Sequence, residues 1–90
     1  MERYLVKVCG RVQGVGFRYF AQYTAAPYDL TGYVENCDDG TVRMEVQGKE
    51  SGINEFLAKI RRGNTFVRVD DMVTKKIDVD PGEKRFRVKY

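Results

Sequence analysis

Hydrophobic and polar residues alternate from Tyr4 to Cys9. Val6 and Val8 fall on one side and Leu5, Lys7 and Cys9 on the other, and a period of two predicts a strand. Glycines at 10, 14 and 16 break the pattern and predict a loop. From Phe17 the period lengthens, and Phe17, Phe20, Ala21 and Thr24 share one face at helical spacing. Pro27 predicts the end of that helix or a kink, since proline lacks an N–H and disfavours helical geometry at Ala26. Gly32 to Asn36 reads as a second strand with Val34 and Asn36 on one side, and Asp38-Asp39-Gly40 as a hairpin turn. In the return strand, Thr41 to Gln47, Val42, Met44 and Val46 point inward while Arg43 and Glu45 face water. Ser51 is placed to cap a second helix whose buried stripe is Ile53, Phe56, Leu57 and Ile60, with Gly63 closing it. Phe66 to Ile77 is strand-rich, with Val67, Val69 and Met72 inward. Asp80-Pro81-Gly82 turns the chain into a last strand with Phe86, Val88 and Tyr90 alternating.

The order strand, helix, hairpin, helix, strand, with one strand added, is the split β-α-β pattern. It predicts an α+β, ferredoxin-like βαββαβ sandwich with two helices on one face of a mainly antiparallel sheet of four or five strands. Ninety residues, without linker or repeat, predict one domain over 1–90. That fold serves many functions, so function has to come from the site.

Composition narrows the chemistry. The chain has no histidine, which removes His-based acid–base catalysis, phosphohistidine intermediates and His metal ligands. The two cysteines, Cys9 and Cys37, cannot build a zinc site alone and are expected as free thiols. A net charge of +3 is too mild to indicate a nucleic-acid partner but suits a small anion. No apolar run approaches the roughly 20 residues of a membrane span. With no signal segment at the start, a cytoplasmic location is expected, and no long apolar surface stripe calls for a partner, so a monomer is expected.

The segment Gly10-Arg11-Val12-Gln13-Gly14-Val15-Gly16-Phe17-Arg18 joins the first strand to the first helix. Backbone N–H groups at such a junction lack internal partners and point together where the helix dipole is positive. Glycines let the backbone curl round an anion, and Arg18 can close the cradle with a two-pronged contact. The nucleotide P-loop fails here for want of a lysine, and the dinucleotide fingerprint fails because Tyr19 stands at its third glycine. Cysteine-phosphatase spacing fails too, because the sixth residue after Cys9 is Val15. No strand carries the aromatic motif of RNA-binding domains. A structural glycine turn beside a surface arginine stays open as the other reading.

A resemblance separates the two readings. The Gly10–Arg18 segment is similar to the signature of the acylphosphatase family. Gly32-Tyr33-Val34-Glu35-Asn36, followed by Asp39-Gly40, resembles its second signature, and the likeness runs to the closing Phe86-Arg87-Val88-Lys89-Tyr90. As a stand-alone unit it resembles the free enzyme more than the related domain of large hydrogenase-maturation proteins. The resemblance implies metal-free hydrolysis of small acyl phosphates without a cofactor. It implies that Arg18 and the loop amides from Gln13 through Gly14, Val15 and Gly16 to Phe17 bind the phosphate, and that Asn36 orients the attacking water.

Outside those motifs, Asn36 alone would read as a turn residue. Arg11 reads as a packing or steering residue, and Tyr19, Phe20 and Tyr23 as helix packing. Nothing marks Cys9 or Cys37 as a nucleophile. Glu50, Glu55 and the Asp70-Asp71 pair read as solvated charges. Three positions depart from the family: Tyr33 stands where tryptophan is frequent, Asp29 at a usual helix-ending glycine, and Pro27 where the first helix normally still runs. An anion-binding module of the same fold is the second hypothesis; it would keep Arg18 and the loop but need no Asn36.

Overall fold

The computed structural model describes residues Met1–Tyr90. Along the chain run β1 (Glu2–Arg11), α1 (Phe17–Ala25), β2 (Thr31–Asn36), β3 (Val42–Gly48), α2 (Glu50–Arg62), β4 (Arg68–Ile77) and β5 (Phe86–Val88). The strands form one sheet in the order β4-β1-β3-β2-β5. All neighbours are antiparallel except β2 and β5, which run parallel. This is the ferredoxin-like sandwich that the element order predicts, with β5 as the fifth strand at one edge.

Alternation sets the core. Val6, Val8, Val34, Val42, Met44 and Val46 lie fully buried beneath Phe17, Ala21 and Ala25 of α1 and Ile53, Phe56 and Ile60 of α2. Each large apolar side chain so buried contributes about 1.5–3 kcal/mol. In β4 both Val69 and Met72 pack against this core, although their positions have opposite parity. A bulge makes that possible: the register with β1 jumps from Cys9↔Asp71 to Gly10↔Val69 and leaves Asp70 without a counterpart. Gly10 is required there. Its φ is +127°, and a Cβ would stand 2.3 Å from the Arg68 carbonyl oxygen.

The opposite face of the sheet carries no helix. Because β4 and β5 lie at opposite edges, the chain from Asp78 to Arg85 must cross this face to join them. Glu45 therefore does not face water as its alternation suggested. Its carboxylate accepts from Arg3 Nε at 2.9 Å and from the Tyr33 hydroxyl at 2.6 Å. Arg3 Nη1 also donates to Glu83 at 2.8 Å, and Gln47 and Asp80 exchange two hydrogen bonds.

Several local expectations are corrected. Ser51 does not cap α2: the helix starts at Glu50 after Lys49, without a side-chain cap, and Glu50 puts a negative charge in the first turn. The α-helix does end ahead of Pro27, at Ala25, but Ala26 keeps right-handed helical geometry (φ −58°, ψ −46°) instead of turning extended. The helix tightens into a 3₁₀ turn at Ala26–Tyr28, and Asp29, at φ 54°, closes it in the left-handed conformation that aspartate tolerates. Tyr23 is 83% exposed and packs on nothing in the core, and Tyr90 is 88% exposed instead of alternating inward. Cys9 and Cys37 are both free thiols. No helix is long and apolar enough to cross a membrane.

Candidate active site

The pairings Arg11↔Arg68, Asn36↔Val42 and Val34↔Val88 bring the end of β1, the end of β2 and the end of β5 to one side of the sheet. The segment from Val12 to Gly16 leaves β1 there and enters α1. The residue before the helix, Gly16, sits at φ 77°, ψ 22°, a left-handed conformation open to glycine at little cost. No side chain caps the helix, and the first N–H to find an acceptor is that of Phe20, which donates to Gly16 O at 3.0 Å. The N–H groups from Gly14 to Tyr19 donate to no backbone acceptor in the chain. They sit at the positive end of the helix dipole, an arrangement suited to an anion.

Val12, Gly14, Gly16, Phe17, Arg18, Tyr19 and Asn36 line a cavity of about 90 Å³ at this point. Pockets for drug-sized ligands run to about 300–1,000 Å³, so this one is scaled to a single small group. The structure thus brings together Gly14, Gly16, Phe17, Arg18 and Asn36 among the residues singled out by sequence. Val15 does not line the cavity; it packs against the core. Gln13 does not line it either. Its side-chain amide donates to Cys37 O at 2.7 Å and Thr41 O at 2.8 Å, tying the loop to the hairpin that follows Asn36.

That hairpin is well braced. Cys37 N–H donates to Thr41 O and Gly40 N–H to Cys37 O. The Asp39 carboxylate accepts from the Thr41 hydroxyl at 2.6 Å and backbone N–H at 3.0 Å and pairs with Lys7 at 3.3 Å. The Thr41 bonds, with help from Lys7, hold the Asp39 carboxyl down to about 2.

Arg18 is half-buried and held from the far end of the chain. Its Nη1 donates to Lys89 O at 3.0 Å, and its guanidinium lies 4.9 Å from the centre of the Tyr90 ring. Lys89 is anchored in turn: its N–H donates to Val34 O at 2.8 Å, and its ammonium lies 3.8 Å from the centre of the Tyr33 ring. The Tyr19 hydroxyl, at the cavity rim, is hydrogen-bonded to that of Tyr90, a bond that pushes the Tyr90 hydroxyl pKa up. Sequence reasoning missed this tail and assigned Tyr19 to helix packing. The position of Tyr19 directly after Arg18 was one available signal, and the place of Lys89 and Tyr90 in the closing segment of the family likeness was another, although no role followed from it. No group of three or more His, Cys, Asp or Glu side chains is gathered as a metal site.

Comparison with known proteins places the whole chain. A family model described as Acylphosphatase matches residues 4–88. An acylphosphatase from Clostridium acetobutylicum is 61% identical over 90 residues, which span 100% of this chain and 99% of that protein. The crystal structure of acylphosphatase from Bacillus subtilis superposes with a TM-score of 0.94 at 39% identity, covering 100% of both chains. The crystal structure of HypF from T. kodakarensis contains a similar unit, with TM-score 0.87 at 32% identity, covering 100% of this chain but 12% of that one. On this full-length agreement of sequence and fold, the chain belongs to the acylphosphatase family.

Proposed function

We propose that the protein hydrolyses the carboxyl–phosphate bond of small acyl phosphates, with the phosphate held by Arg18 and the amides of the Gln13–Phe17 loop and the water oriented by Asn36. The observation that carries this reading is the meeting of Arg18, Asn36 and the unpaired loop amides on one small cavity. Family membership supports the reaction class.

The chemistry asks little of the protein beyond position and charge. Water attacks phosphorus in line, the bond from phosphorus to the acyl oxygen breaks, and its electron pair leaves on a carboxylate. A carboxylate is a stable leaving group and needs no general acid, so the absence of histidine costs nothing. Charge on the equatorial phosphoryl oxygens is met by the Arg18 guanidinium and the loop N–H groups, which are in place before the reaction. Each N–H donated to a charged oxygen contributes about 1.5–3 kcal/mol. The Asn36 carbonyl accepts from the water and fixes its direction. An amide is too weak a base to take the proton, so the proton passes to a phosphoryl oxygen of the substrate. The products are a carboxylate and inorganic phosphate, and no step calls on a metal or cofactor.

Incubation with acetyl phosphate in excess chelator tests the reading directly. Release of inorganic phosphate well above the spontaneous rate is expected. Phosphate binding by calorimetry without turnover, in a folded sample, would replace hydrolysis by a binding function.

A further inference from the structure

A second basic feature lies beside the phosphate loop. Arg11 at the end of β1, Arg61 and Arg62 at the end of α2, and Arg68 at the start of β4 converge on an open groove of about 390 Å³, whose wall is completed by Asn64 and Thr65 and by the apolar Phe66, Val67 and Val69. No acidic side chain lines it. Arg68 is paired with Asp70 at 2.9 Å, but Arg11, Arg61 and Arg62 make no ion pair. Asn64 uses its carbonyl oxygen on the N–H groups of Phe66 and Val67, which leaves its amide hydrogens to donate. The polar part of the groove is therefore made of donors and positive charge, beside an apolar wall of Phe66, Val67 and Val69. Arginines at a helix C-terminus complement the helix dipole, which accounts for Arg61 and Arg62 singly. It does not account for the convergence of Arg11 from one strand and Arg68 from another on the same groove.

The sheet order fixes where the groove stands. Asn36 ends β2, whereas Arg11 and Arg68 belong to β1 and β4, two and three strands away in the order β4-β1-β3-β2-β5. At the usual strand spacing the groove begins about 10 Å from the Asn36 strand. Arg11 is also within about 11 Å of Gly14, a residue of the small cavity, because only three residues of chain separate them. In-line displacement puts the leaving acyl group on the side of phosphorus away from the water. With the water on the Asn36 side, the acyl group points across the loop toward β1 and β4.

On these grounds, and resting on the function proposed above, we propose that the groove is a second anion subsite, which takes a carboxylate or phosphate carried a few carbons from the anhydride on the acyl half of the substrate. The enzyme then prefers acyl phosphates with a distal anionic group to those with a short neutral acyl chain.

The test compares kcat/KM for acetyl phosphate and succinyl phosphate in the wild-type protein, in Arg61→Ala/Arg62→Ala and in Arg61→Lys/Arg62→Lys. The wild type should favour succinyl phosphate by about tenfold at low ionic strength, the sum of two exposed charge contacts. The alanine pair should lose most of that preference while acetyl phosphate turnover, which also reports folding, changes by less than about twofold. The lysine pair should retain it, since charge is kept. Equal rates on the two substrates in the wild type would overturn the subsite. So would an equal loss on both in the alanine pair, which would mean long-range steering. Absence of turnover on either substrate would remove the proposed hydrolysis and the subsite with it, an outcome distinct from hydrolysis without preference.

Discussion

Removing the Arg18 guanidinium leaves the loop amides in place but takes away the one cation lining the small cavity. Arg18→Ala should therefore lower turnover of acetyl phosphate by at least about 10²-fold, the scale seen when one transition-state donor is lost. Asn36→Ala removes the acceptor proposed to aim the water and leaves the phosphate contacts alone. Its kcat should fall by more than its KM rises, and a change confined to KM would assign Asn36 to binding instead. Arg18 is also fixed from behind, through the Lys89 carbonyl and the Tyr90 ring. That reduces the rotamer freedom a long side chain would otherwise lose on closing round an anion.

At the scale of elements, the loop depends on its left-handed glycines. A Cβ at Gly16 would meet no atom within 4 Å, so the cost of Gly16→Ala is purely conformational. With φ at 77°, the substitution should lower unfolding free energy in urea by about 1–2 kcal/mol and should also reduce turnover, because relief of the strain re-aims the adjacent amides. Unchanged stability would mean the loop takes another path. The loop itself was legible in the sequence, since three glycines between a strand pattern and a helix pattern mark the junction, but the glycines and Arg18 left its chemistry open between an anion cradle and a structural turn, and only the family resemblance chose. The core faces of β1, β3 and α2 were legible as well, where the periodicity is unbroken. The features that escaped are those set by partners distant in the chain. The bulge at Asp70 is a property of the β1–β4 pairing, and no residue in β4 announces it. The contacts of Tyr19 and Lys89 arise only when β5 is laid beside β2. Glu45 looked solvated because alternation reports which face a side chain takes, not what covers that face.

What covers it is best judged on the whole molecule. Arg3 is linked to Glu45 on β3 and to Glu83 in the segment that crosses the open face, so one buried guanidinium fastens the connection between the two edge strands. Arg3→Met would strand two shielded carboxylates and should cost about 3–5 kcal/mol at neutral pH. The pH dependence has a definite sign. Burial pushes the Glu45 carboxyl up, but hydrogen bonds from Tyr33 and Arg3 outweigh it and leave the group below its ordinary value. A depressed carboxyl stabilises the fold above its unfolded pKa, and that contribution is lost as pH falls through the folded value. In Arg3→Met the burial remains without the cation, so protonation relieves the variant while it weakens the wild type. The stability gap should be widest at pH 7 and should narrow as pH drops below about 4, measured by urea unfolding across that range. Adding Glu45→Gln and Glu83→Gln to Arg3→Met should recover most of the loss at pH 7. A gap that stays constant with pH would mean that Arg3 contributes by packing and not by charge. Arg3 lies eight residues before Arg11 on β1, about 26 Å along the strand from the end that carries the proposed site. The kcat of the variant on acetyl phosphate, taken well below its unfolding temperature, should therefore match that of the wild type.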